Sequence, residues 1–177
     1  MFKYNLYFFC EKKTEKTIKY FLSKYNADSG KLLVDEVLVY RNIESLSQNN
    51  LHEEWVEITD TNSWIKLGLS EQSIAFSINY SLPIKSITGL VITFTIDGGI
   101  IFGIEFDENE INLKYSKKLA NTVGKEYDAT LVALFIEETP IFSKDLFKKA
   151  LCERAIYKVI NCNSEVDMSI SNQVKEM

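Results

Sequence analysis

Histidine is nearly absent from this chain: His52 is the only one in 177 residues. Chemistry that needs two imidazoles, such as an HExxH zinc peptidase site, is thereby excluded, and His52-Glu53-Glu54 is only a superficial echo of that motif. Cysteine is scarce too. Cys10, Cys152 and Cys162 are an odd set, far apart, with no CxxC spacing. A zinc cluster needs about four ligands held tetrahedrally, so these thiols read as reduced and structural. With two prolines and seven glycines, no Pro/Gly-rich linker divides the chain, and there is no internal repeat or low-complexity tract. No apolar run approaches ~20 residues, so no membrane span is expected. The opening residues MFKYNLYFFCEKK run from apolar to basic, the reverse of a secretory signal. The expectation is a cytoplasmic protein.

What is present suits a globular protein. Apolar residues make up 46% and aromatics 12%, too rich for disorder. The length fits one α+β domain over residues 1–160, with a polar C-terminal tail over 161–177 that is expected to fray. Net charge is −5, but it is unevenly spread. Residues 42–113 hold eleven acids and two bases, a net −9, which leaves +4 for the two flanks together. Such a middle segment disfavours nucleic acid and favours a basic partner. The competing reading is that the carboxylates only solvate strand edges and loop tips.

The most legible stretch is residues 90–106, LVITFTIDGGIIFGIEF, two apolar runs joined by Asp97-Gly98-Gly99. A three-residue hairpin loop predicts Phe94 opposite Phe102 and Ile92 opposite Ile104, with every side chain on that face large and apolar. The other face, with Val91, Thr93, Ile101 and Glu105, suits partial exposure. Residues 2–10 alternate as a strand, and Ile18, Phe21, Leu22 and Tyr25 give residues 14–25 the spacing of an amphipathic helix, with Gly30 closing the turn after it. Residues 32–40 read as a covered strand, 42–50 as a loop, 55–61 as a short strand and 74–82 as an amphipathic strand ended by Pro83. Beyond the acidic turn at 107–110, Tyr115, Leu119 and Val123 have helical spacing and Gly124 is a C-terminal stop. The start of that helix is open, because Ile111, Leu113 and Tyr115 also fit a short strand. Residues 129–136 form another strand. After Pro140, Ser143 is an N-cap, Asp145 favours the first turn, and Leu146, Phe147, Ala150, Leu151, Ala155 and Val159 line the longest helix. The order predicts an α+β fold: a mostly antiparallel sheet with a central β-hairpin and about three helices packed on one face.

No catalytic, cofactor-binding or metal-binding residues are assigned. Gly98-Gly99-Ile100-Ile101-Phe102-Gly103 lacks the lysine of a phosphate loop and leads into a strand, where such motifs need a helix. No serine sits in a GxSxG elbow, and His52 reads as a surface or core-edge residue. Asp107, Glu108 and Glu110 end one strand, and Glu137 and Glu138 end another. Were those strands neighbours, the acids would converge on Mg²⁺ or Ca²⁺. The lysines around the first helix, Lys12, Lys13, Lys16, Lys19 and Lys24, are diluted by Glu11 and Glu15, include no arginine, and fit a solvated face.

Residues 87–151 carry a pattern of elements: a hairpin ending IIFGIEFD, a helix ending KKLANTVGKE, the strand ATLVALFIEETP and the helix SKDLFKKALCERA. In this pattern the chain resembles bacterial immunity proteins of polymorphic and contact-dependent inhibition toxin systems. The resemblance implies a small, acidic, cytosolic α+β binder without catalytic residues, although the modest net charge departs from strong acidity. The expected function is stoichiometric neutralisation of a protein toxin with a basic surface, with neither nucleic acid nor membrane as partner. The candidate partner-binding residues are Glu53, Glu54, Glu57, Asp60, Asp107, Glu108 and Glu110. The alternatives are a hydrolase or transferase with an unrecognised carboxylate/His site, and a structural or regulatory oligomerising subunit.

Overall fold

In a computed structural model describing residues 3–41, 54–84, 86–137 and 141–160, the N-terminal alternation becomes strand β1 (Lys3–Cys10). Tyr4, Leu6, Phe8 and Cys10 face one side of a large sheet, and Tyr7 and Phe9 face the other. The expected loop at 42–50, His52, Glu53, Glu138, Cys162 and the tail at 161–177 lie outside the described residues.

The remaining elements follow in chain order: α1 (Glu15–Lys24), β2 (Lys31–Leu32), β3 (Glu36–Val39), β4 (Glu54–Glu57), α2 (Thr61–Ser70), β5 (Phe76–Ser81), β6 (Gly89–Phe94), β7 (Ile100–Asp107), α3 (Glu110–Glu126), β8 (Leu131–Ile136), α4 (Lys144–Glu153) and β9 (Tyr157–Ile160). Seven of these strands form one sheet in the order β2-β5-β6-β7-β1-β8-β9, every adjacent pair antiparallel. Strands β3 and β4 make a separate two-stranded ribbon. The fold is α+β, as predicted.

Three helices cover one face of the sheet. Ile18, Phe21 and Leu22 of α1, Trp64 and Ile65 of α2, and Ala120 and Val123 of α3 share a core with Leu6, Phe8, Ile92, Phe94, Phe102 and Ile104. The fourth helix lies on the opposite face, which corrects the expectation of partial exposure there. Phe147, Ala150 and Leu151 of α4 pack on Tyr7, Phe9, Val91, Ile101, Ala133 and Phe135. The apolar residues on both sides of β1 and β8 require cover on both sides, and α4 supplies the second.

The hairpin register is shifted by two residues from the predicted one. Phe94 lies opposite Ile100 and Ile92 opposite Phe102, so the connection is Thr95 to Gly99. Ile96 does not pair with Ile100, because its N–H donates to the carbonyl of Phe142 at 2.9 Å. The Thr95 hydroxyl donates to Asp97 Oδ1 and accepts from the Gly99 N–H. Asp97 Oδ2 accepts the Lys144 N–H at the start of α4. Gly98 adopts a φ of +86°, in the left-handed region that suits glycine. A shift of two residues preserves side-chain parity, so the apolar face survives although the pairing was wrong.

Other elements also depart from expectation. The single strand over 32–40 is two pieces in two sheets, split where the carbonyl of Asp35 turns to accept the Ile58 N–H. The strand over 55–61 ends at Glu57, and an unforeseen helix, α2, begins at Thr61 behind the Asp60 cap. Helix α3 starts at Glu110, so Ile111, Leu113 and Tyr115 are helical, and Gly124 lies inside it instead of stopping it. Its buried stripe is Asn112, Ser116, Ala120, Val123 and Gly124, with Leu119 packed beside it, while Tyr115 is exposed. At 17 residues it is longer than α4, at 10. The Ser143 cap holds, accepting the Leu146 N–H, but Leu146 is exposed and Val159 belongs to β9.

Candidate partner-binding surfaces

Among the described residues the structure places the predicted site residues in two groups and gives one of them, Asp60, a capping role. Asp60 is a helix cap: its carboxylate accepts the Ser63 N–H at 2.8 Å, and the Ser63 hydroxyl in turn accepts the Asp60 N–H. This reciprocal pair satisfies orphan donors at the start of α2. Glu54 and Glu57 sit on β4. Glu54 forms an ion pair with Arg41 at 2.9 Å, and Arg41 also binds Glu71. Glu57 lies opposite Glu36 in the ribbon register.

The second group stands at the end of β7. Asp107 pairs in register with Lys3, Glu108 is exposed, and Glu110 occupies the first turn of α3, where its charge suits the helix dipole. The side chain of Asn112 ties down the carbonyl of Asp107 at 2.9 Å. The two groups do not form one patch. β5 and β6 lie between β7 and the sheet edge that the ribbon joins through the Tyr40–Ala75 bridge.

Nor do the described strand-end acids, Asp107, Glu108, Glu110 and Glu137, converge for a cation. β7 and β8 both flank β1 and are not neighbours. Lys3 stands between them, paired in register with Asp107, bonded through its carbonyl to the Glu137 N–H, and ion-paired to Glu105 at 2.7 Å. Among the described residues no group of three His, Cys, Asp or Glu side chains is placed to hold a metal ion. No helix among them is long and apolar enough to cross a membrane.

A cleft of about 600 Å³ opens at the other end of the sheet, lined by Cys10, Glu11, Thr14, Tyr127 and Asp128 among others. None of the strand-end acids reaches it. Burial pushes the Cys10 thiol up to about 12, with the charges of Asp128 and Glu11 adding to the effect. A thiol so placed stays protonated and is a poor nucleophile. Glu11 is engaged by Lys144 and Thr130.

Sequence reasoning missed Trp55. Its side chain is 60% exposed, whereas Trp64 is fully buried and donates its indole N–H to the Tyr80 hydroxyl at 3.2 Å. The available signal was the acids flanking Trp55 in EEWVE, which mark a strand without two apolar faces.

No family model matches the chain, and no curated protein matches it in sequence. Among solved structures, the chain is similar to one in the crystal structure of the toxic C-terminal tip of CdiA from Pseudomonas aeruginosa in complex with immune protein. The identity is 15% and the TM-score 0.42, over 77% of this chain and 88% of that one. At that level the likeness assigns no residue and no role.

Proposed function

We propose that this protein is a stoichiometric binding protein of the immunity type, which neutralises a bacterial toxin domain by docking carboxylates against its basic surface. The observation that carries the reading is the set of exposed acids that no described base neutralises. Among the described residues Glu57, Glu108 and Glu110 make no ion pair, and neither does Glu36. Exposed charges left uncompensated contribute little to folding, yet they steer an oppositely charged partner and raise its association rate. The resemblance of residues 87–151 to immunity proteins supports the same reading, and so does the net −9 of residues 42–113. The protein acts in this view without cofactor or metal.

The test takes the product of the neighbouring gene as the candidate toxin and measures its association at low and high salt. Two triple variants are compared with wild type: Glu53→Lys/Glu54→Lys/Glu57→Lys and Asp107→Lys/Glu108→Lys/Glu110→Lys. At least one should associate more slowly at low salt, and the difference should shrink as salt screens the charges. Wild-type rates for both variants at both salt concentrations would make acidity incidental to binding.

A further inference from the structure

We infer that the outer face of the β3–β4 ribbon, centred on Trp55 and Leu38 and flanked by Glu36 and Glu57, is the docking site for an arginine- or lysine-bearing segment of a protein partner. This rests on the binding role proposed above and assigns that role to one of the two acidic groups.

Strand alternation sets the face. Val37 and Val39 are buried and Val56 packs against the same core, so their neighbours Leu38 and Trp55 point the other way. Leu38 and Trp55 are direct cross-strand partners, close enough for their side chains to form one apolar surface. Nothing among the described residues covers it, since Trp55 is 60% exposed. Tryptophan is among the residues most enriched where binding energy concentrates at protein interfaces.

Electrostatics identifies the occupant. The next register pair on this face is Glu36 opposite Glu57, both exposed and neither ion-paired among the described residues. Like charges directly opposite one another weaken a ribbon. Glu54 points to the other side with Val39, and its partner Arg41 is shared with Glu71, so that cation does not relieve the pair. A guanidinium or ammonium from a partner relieves it, and it also lies within reach of the indole face for a cation–π contact. Nucleic acid and anionic lipid carry the wrong sign for this face.

The experiment uses the full chain and, as probe, the purified product of the neighbouring gene. Trp55→Ala should weaken binding by about tenfold or more, as loss of a central aromatic anchor does. Glu57→Lys should weaken binding while slightly raising the melting temperature, because it replaces a repulsive cross-strand pair with an attractive one. A charge reversal outside both acidic groups, Glu153→Lys on the exposed end of α4 across the sheet, should stay within about twofold of wild type. Tryptophan emission should shift to the blue on complex formation, because Trp64 is already buried, and Trp55→Phe should abolish the shift. Binding within about twofold of wild type by both Trp55→Ala and Glu57→Lys, with melting temperatures showing both folded, would overturn the docking face while leaving the immunity role intact. Failure of the wild-type chain to bind would overturn both.

Discussion

Cys10 and Gly68 show how tightly single residues are constrained on the helical side of the sheet. The Cys10 sulfur is buried and directs its S–H to the carbonyl of Tyr127 at 3.4 Å, while Cys152 is exposed. Burial acts first on its acidity, and the nearby carboxylates of Asp128 and Glu11 reinforce it. In the folded protein at pH 8, iodoacetamide should label Cys152 and leave Cys10 intact until denaturant is added, as peptide mass spectrometry would read. Equal labelling of the two would contradict the described burial. At Gly68 a Cβ would stand 2.1–2.4 Å from three ring atoms of Phe94. That ring cannot retreat, because it stacks on Phe76 at 4.8 Å and meets the edge of Trp64. Alanine at a helix interior gains about 1 kcal/mol over glycine. Overpacking costs about 1–3 kcal/mol, so Gly68→Ala should destabilise in a denaturant titration.

At the scale of elements, the legible features were those whose own side chains dictate them. Ile74, Phe76, Ile78, Tyr80 and Leu82 are all buried, as their alternation predicts, and Ser143 caps α4. What escaped was set by contacts distant in sequence. The hairpin register depends on Asp97 reaching Lys144 and Ile96 reaching Phe142, which no local pattern reveals. Helix α2 buries Trp64, Ile65 and Gly68, while Leu67 and Leu69 flank that face, a spacing that shows no clean helical period. Helix α3 buries Asn112 and Ser116 beside Ala120 and Val123 while Ile111 and Tyr115 are exposed, so polar residues inside the covered stripe and apolar ones outside it blurred its period. Asp97→Ala should remove both the loop bond and the bond to α4, costing about 1–2 kcal/mol in thermal or chemical unfolding. Between α1 and α3, Glu126 binds Lys24 and accepts from the Tyr20 hydroxyl at 2.6 Å. Burial alone would raise the Glu126 carboxyl, but the bonds from Lys24 and Tyr20 outweigh it and hold it below its ordinary 4.5. A depressed carboxyl contributes stability that is present above 4.5 and lost as pH falls through its lower folded value. Glu126→Gln should therefore unfold less steeply with acid in that window, with a modest difference because the pair is partly solvated.

For the molecule as a whole, the order of elements made the class of fold legible, whereas the sequence showed the placement of charge only in part. The excess of acids over residues 42–113 is real in the sequence, but the fold separates it into a ribbon group and a strand-end group. It turns Asp60 to capping and couples Glu54 to Arg41. A count along the chain cannot distinguish a carboxylate that caps a helix from one that faces solvent beside an uncovered tryptophan. Trp55 became visible only once the ribbon register showed which of its sides meets the core. In the proposed role one copy of this protein neutralises one copy of a toxin domain by occupying it. The decisive measurement titrates the protein into a fixed amount of the neighbouring gene's product, taken as the candidate toxin, and records residual toxic activity immediately and after prolonged incubation. The expected result is a linear loss that ends at one equivalent and does not progress with time. Activity that persists at large molar excess, or that continues to fall with time at substoichiometric amounts, would contradict it.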